Sequence, residues 1–220
     1  MAKQLFIAGN WKSNKTLAEA KAWLETFTVP PTDAKIVLCA PFTLLNFLNW
    51  AIAQQKLPLE LAAQDVSPFA AGAYTGEVNA AQVKELAQWV IIGHSERRKH
   101  FGETDEVLAQ KVTRAHEAGL KVIYCVPDDS TSVPQSVAVV AYEPVWAIGS
   151  GKAESPQNAA RVISTIKDMT GAATGIYGGS VTPDNVMSFV QESAIDGVLP
   201  GGASLDPLAF AHLVQAVHPQ

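Results

Sequence analysis

Short apolar runs alternate with longer stretches of helical period from one end of this chain to the other, and that alternation constrains the fold more than any other feature. Leu5-Phe6-Ile7-Ala8 reads as a strand. It is followed at 16–27 by a helix whose start is marked by Thr16 and Glu19, spaced as a capping box. Further strand and helix pairs are expected at 36–40 with 43–54, 60–64 with 80–87, and 89–93 with 104–118, where Gly119 closes the helix. Strands are expected again at 121–126, 137–142, 174–177 and 197–199. Helices follow three of these, starting at Ser155-Pro156, Thr182-Pro183 and Ser204. The expected inventory is eight strands and seven long helices in a single domain, 1–220, because no linker or shift of composition divides the chain. Such alternation implies parallel strands joined by right-handed crossovers. It leaves an open doubly wound sheet and a closed barrel equally open.

One connection is too short for its helix. Only 127–136 lies between the fifth and sixth apolar runs, and it is rich in Asp, Ser and Thr and holds Pro127 and Pro134. Ten residues at about 3.3 Å each can still run back along a strand in extended form and start a parallel neighbour.

Composition excludes several classes of function. With 48% apolar residues the chain can bury a substantial core, and its net charge of −5 comes from mixed charges without a basic run, which argues against nucleic acid and acidic membranes as partners. Residues 1–22 carry Lys3, Lys12, Lys15, Glu19 and Lys21, too many charges for a signal peptide or a membrane span, so a soluble cytoplasmic protein is expected. Cys39 and Cys125 each sit inside an apolar run, without metal-ligand spacing, and read as buried free thiols.

The chemically distinctive residues follow the C-terminal ends of apolar runs: Asn10 and Lys12 after the first, His94 and Glu96 after the fourth, Glu143 after the sixth. In parallel α/β folds that end carries the active site. Singly, a lysine is most often a solvated charge, a histidine before a turn often caps backbone, and Glu96 could simply pair with Arg97; their joint placement on one rim favours a site. Glycine-bearing turns at 147–151, 177–180 and 200–203 fall on the same rim and offer unobstructed N–H groups beside helix starts, an arrangement that suits a phosphate.

Four segments carry a family resemblance: Ala8-Gly9-Asn10-Trp11-Lys12, Ile92-Gly93-His94-Ser95-Glu96-Arg97-Arg98, Ala141-Tyr142-Glu143-Pro144-Val145-Trp146-Ala147-Ile148-Gly149, and Tyr177-Gly178-Gly179-Ser180-Val181. In this order they resemble the signature segments of the triosephosphate isomerases, and the likeness runs from Lys3 to Val217 except around 127–136. The resemblance implies a closed (β/α)8 barrel, here with the helix between strands 5 and 6 replaced by a short extended connection. It implies isomerisation of dihydroxyacetone phosphate and glyceraldehyde 3-phosphate through an enediolate, without metal or organic cofactor. Triosephosphate isomerase is a standard worked case of a glutamate base beside a neutral histidine electrophile, and those roles carry over to Glu143 and His94. Lys12 is expected to supply positive charge, Glu96 to orient it, and Asn10 to bond a substrate oxygen. Gly149, Ser180, Gly201 and Gly202 are expected to hold the phosphate, and 144–149 resembles the lid whose closure this family exemplifies. The loop at 65–79 resembles the one that grips a second subunit, which implies a homodimer in which Thr75 reaches the partner's Asn10 and Lys12.

The departures from the family carry expectations of their own. Without the fifth crossover helix, Ala138, Val140 and Tyr142 should point outward and be covered only in part, by the extended segment. Pro200 stands where a small aliphatic residue is usual, which predicts a shifted loop and weaker phosphate affinity. Asp128 replaces a glutamate and Ser150 a threonine. Two other functions compete: a catalytically impaired barrel of the same family kept as a binding or interaction protein, and another phosphate-handling (β/α)8 isomerase.

Overall fold

The computed structural model describes residues 3–147 and 153–217. Eight parallel strands pair in sequence order and close on themselves: β1 (Phe6–Asn10), β2 (Lys35–Ala40), β3 (Glu60–Ala63), β4 (Trp89–Ile92), β5 (Lys121–Val126), β6 (Val139–Tyr142), β7 (Thr174–Tyr177) and β8 (Gly197–Val198), with β8 returning to β1. Around them lie α1 (Leu17–Thr26), α2 (Phe42–Gln55), α3 (Ala80–Lys84), α4 (Ser95–Phe101), α5 (Asp105–Glu117), α6 (Pro156–Thr170), α7 (Val186–Val190) and α8 (Pro207–Ala216), with a 3₁₀ turn at Gly202–Ser204. The barrel expectation holds, including the missing fifth crossover helix: 127–138 contains turns but no helical turn of its own.

Alternation along the strands sorts the apolar side chains into two layers. One fills the barrel; the other lies between the sheet and the helices. Inside, the residues become smaller toward the C-terminal end of each strand: Phe6 then Ala8, Val37 then Cys39, Ile123 then Cys125, Val139 then Ala141. Bulky groups close the lower end, where Phe6 meets Trp89 edge to face at 4.9 Å. The small residues above them leave room for a cavity at the upper end, and continuing the same alternation brings Asn10 and Glu143 inward beneath it.

Several helix ends form as their residues dictate. Thr16 and Glu19 make the reciprocal capping box of α1, and Ser155 caps α6 ahead of Pro156. Gly119, at φ 74°, ends α5 with Gly119 N–H donating to His116 O and Leu120 N–H to Ala115 O, the paired bonds of a Schellman motif. The expectation of seven long helices fails in two places, and the last helix starts later than expected. α3 and α7 are only five residues each. At Thr182-Pro183 the Asn185 side chain folds back to accept from Thr182 N–H and donate to Ser180 O, so the loop takes the bonds and the helix begins at Val186. Ser204 ends the 3₁₀ turn and is buried; Asp206 caps the last helix instead. The unanticipated α4 covers Ser-Glu-Arg-Arg-Lys-His-Phe, which has no apolar period to betray it and is held by His94 at its N-cap and by ion pairs.

The short crossover covers its strands better than expected. Val140 and Tyr142 do face outward, yet both are buried in the outer layer, and only Ala138 is exposed. Val133 packs against that layer, the Tyr124 hydroxyl donates to Ser132 O at 3.4 Å, and Arg161 reaches Asp129 at 3.5 Å. The extended segment is thereby strapped across the gap.

Candidate active site

A cavity of about 400 Å³ opens at the C-terminal end of the barrel, and Asn10, Lys12, His94, Glu143, Ser180, Gly201 and Gly202 all line it. Asn10 is the last residue of β1; its Oδ1 accepts from Lys12 N–H at 2.9 Å, which holds Lys12 at φ 51°, a left-handed conformation that a lysine rarely adopts. That turn aims the Lys12 ammonium at Glu96 Oε1, with which it pairs.

Glu143 is 1% exposed. Its Oε2 accepts from Ser95 N–H at 2.9 Å, at the first residue of α4, while Oε1 has no hydrogen-bond partner among the described residues. His94 Nε2 lies 3.1 Å from that oxygen, out of line for a hydrogen bond. The other ring nitrogen, Nδ1, accepts from Glu96 N–H at 3.2 Å, so the ring proton belongs on Nε2, facing the cavity. A buried carboxylate oxygen without a partner costs free energy unless something is to occupy the space before it. Glycine is required alongside: a Cβ on Gly178 would lie 2.8 Å from Glu143 Cγ. Below the site, burial pushes the Cys125 thiol well above its usual range, with the nearby Glu143 carboxylate adding to the shift, so it stays protonated.

Residues 5–217 match the family model described as triosephosphate isomerase. The chain belongs to the triosephosphate isomerase family. It is similar to the triosephosphate isomerase of Synechocystis sp., 41% identical over 239 aligned positions that cover 96% of this chain and 98% of that one. Those of Gloeothece citriformis, 41% identical with the same coverage, and Alkaliphilus metalliredigens, 38% identical over 94% of this chain and 97% of that one, agree. It is therefore an isomerase.

On the side of the cavity lined by 178–182 and 201–203, Ser180 Oγ donates to Ala147 O at 2.8 Å, and Gly202 opens the 3₁₀ turn, whose first N–H groups have no partner earlier in the turn. Trp11 and Trp23 both donate their indole N–H to the carbonyl of Ser204, at 3.0 and 3.1 Å, and fix that turn from behind. Pro200 lacks an N–H, yet its carbonyl accepts from Asn10 N–H at 2.8 Å, so the loop stays tied to β1. Gly149 lies outside the described residues. Thr75 sits exposed on its loop and does not line the cavity of its own chain.

Sequence reasoning missed three contributors. Gln64 Nε2 donates to Asn10 Oδ1, Lys12 O and Cys39 O, bracing the first loop from the end of β3. Ser95 holds Glu143 through a backbone N–H that no side chain announces. Leu199, the last inward residue after β8, lines the cavity as an apolar wall.

Proposed function

We propose that this pocket interconverts dihydroxyacetone phosphate and D-glyceraldehyde 3-phosphate by proton transfer through an enediolate. The observation that carries the reading is the buried, half-satisfied Glu143 carboxylate beside His94 Nε2 at the cavity floor. Glu143, released from Ser95 N–H, would take the proton from the carbon next to the carbonyl and deliver it to the former carbonyl carbon. His94 would donate from Nε2 to the carbonyl oxygen and recover a proton from the neighbouring hydroxyl. Lys12, oriented by Glu96, and the Asn10 amide would stabilise the charge that develops on those oxygens. Ser180, Gly201 and Gly202, with Gly149, would bind the phosphate away from the reacting carbons and supply binding energy that steadies the reacting end. Proton transfer between adjacent carbons requires no metal or organic cofactor. The reaction belongs to glycolysis and gluconeogenesis, and the cytoplasm is the proposed location.

A homodimer through 65–79 is part of the proposal. Phe69 and Tyr74 stack at 4.1 Å on that exposed loop, 41% and 44% exposed, which presents a paired aromatic surface to a partner and brings Thr75 to its tip. Sedimentation of the purified protein should give twice the chain mass, and a monomer at micromolar concentration would remove this part. Against an inert barrel or a different phosphate isomerase stands the convergence of Asn10, Lys12, His94, Glu143, Ser180, Gly201 and Gly202 on one cavity. The test is a coupled assay of dihydroxyacetone phosphate formation with wild type and Glu143→Gln. The variant should lose about 10²- to 10⁴-fold in kcat; a wild type as slow as the variant would sink the reading.

A further inference from the structure

The residue before the catalytic glutamate is held by a carboxylate from the far end of the segment that follows it. Tyr142 closes β6 and points outward, opposite to Glu143, and its hydroxyl donates to Glu154 Oε2 at 2.8 Å. Glu154 stands immediately before Ser155, the N-cap of α6. Its Oε1 accepts from Asn158 Nδ2, and its backbone N–H donates to the Tyr177 hydroxyl at 3.0 Å, at the end of β7. The carboxylate also faces the N-terminus of a 15-residue helix, where the helix dipole favours negative charge. The ends of β6, β7 and α6 thus converge on one acidic side chain.

We propose that Glu154 is a positioning residue for the isomerase reaction: through Tyr142 it fixes the strand end from which Glu143 must swing. This inference rests on the proposed function. Among the described residues, the backbone there is otherwise held by Glu143 N–H donating to Val126 O and Gly178 N–H donating to Tyr142 O, both at 2.8 Å, bonds that fix the strand edge but leave the outward Tyr142 side chain to Glu154. Glu143 has to leave Ser95 and reach a substrate carbon, and a base whose pivot drifts by about 1 Å forfeits on the order of 10²-fold in rate. Burial, reinforced by Glu154, pushes the Tyr142 hydroxyl well above its usual range, so it remains a donor at any pH at which the enzyme works. The same hydrogen bond joins the two flanks of 143–153, tying departure and return of that segment to one point.

The experiment is a double-mutant cycle with Tyr142→Phe and Glu154→Ala, together with Glu154→Gln and Glu143→Gln, read as kcat and KM per folded enzyme with thermal stability measured in parallel. Each single clasp variant should lower kcat about tenfold with KM changed less than twofold. The double variant should be no slower than the worse single, and Glu154→Gln, which keeps an acceptor for Tyr142, should recover most of the rate. A second readout is inorganic phosphate released per turnover, which rises if the enediolate is held less well and expels its phosphate, leaving an enol that becomes methylglyoxal. Full activity in the clasp variants with a dead Glu143→Gln would overturn this inference alone, as would multiplying effects or a loss that tracks stability only. An inactive wild type would overturn this inference and the proposed function together.

Discussion

Two neighbouring crossovers of this barrel solve the same connection in opposite ways. The one after β4 is heavily built: it begins with His94 and Glu96, carries α4 and α5, and encloses four charges, Asp65, Arg97, Glu103 and Lys111, with the Lys111 ammonium bonded to both acids. Burial pushes the Asp65 carboxyl up against the pull of Lys111 and Arg97. The one after β5 supplies no residue to the cavity and has no helix, only an Asp128-centred turn and an extended strap. Yet β5 and β6 pair in unbroken register from Ile123 with Val139 to Val126 with Tyr142. The comparison teaches that a crossover helix is dispensable for closing the sheet, whereas the elements that aim a side chain into the cavity are reinforced from behind.

The largest effect should come from breaking the heavy crossover. Lys111→Met removes one of the two cations that pair with the Asp65 and Glu103 carboxylates and leaves them to Arg97, and urea unfolding at fixed protein concentration should show a loss of about 3 kcal/mol; a loss below 1 kcal/mol would mean the cluster is better solvated than its burial implies. Next comes the seam between the two crossovers, where the Tyr124 hydroxyl accepts from Arg98 and donates to the strap. Tyr124→Phe should cost about 0.5–1.5 kcal/mol in the same assay. Inserting ten Gly/Ser residues between the exposed Gln135 and Ser136 should cost only about 0.6 kcal/mol, the price of doubling a loop, with isomerase activity kept within about twofold. A collapse in activity there would show that the strap matters to the site after all.

The smallest effect concerns pH. Hydrogen bonds led by the Ser130 hydroxyl hold the Asp128 carboxyl below its usual value of 3.8. A depressed folded value means the ionised group stabilises the fold above the unfolded value and that the contribution is lost as pH falls through the folded one. The stability gap between wild type and Asp128→Asn should therefore be flat at neutral pH, within about 0.5 kcal/mol, and shrink below about pH 4. A gap that widened on acidification would contradict the turn geometry.

Much of the site was legible because it rides on strand ends. Asn10, His94 and Glu143 each follow an apolar run, and the period of two along β1 and β6 says which residues face inward. The deleted helix was legible too, since ten residues rich in turn formers cannot hold one. What escaped had no local pattern. α4 is a charged run whose helix depends on His94 as cap and on partners in the following turn and α5, and α7 is shortened by an Asn185 side chain that prefers the loop. Gln64 and Glu154 look like ordinary surface residues until their partners arrive from distant strands.

The amino-acid sequence by itself determined the order of the strands, the caps that start α1 and α6, and the family to which the motifs belong. These depend on residues a few positions apart, over which hydrogen bonds and apolar period act directly. Only the tertiary structure decided that the strands close with small side chains uppermost, that the unpaired Glu143 oxygen meets His94 over that floor, and that a strap can stand in for a helix. Such outcomes follow from packing among residues far apart in the chain, where every side chain's place is set by what the whole barrel leaves empty.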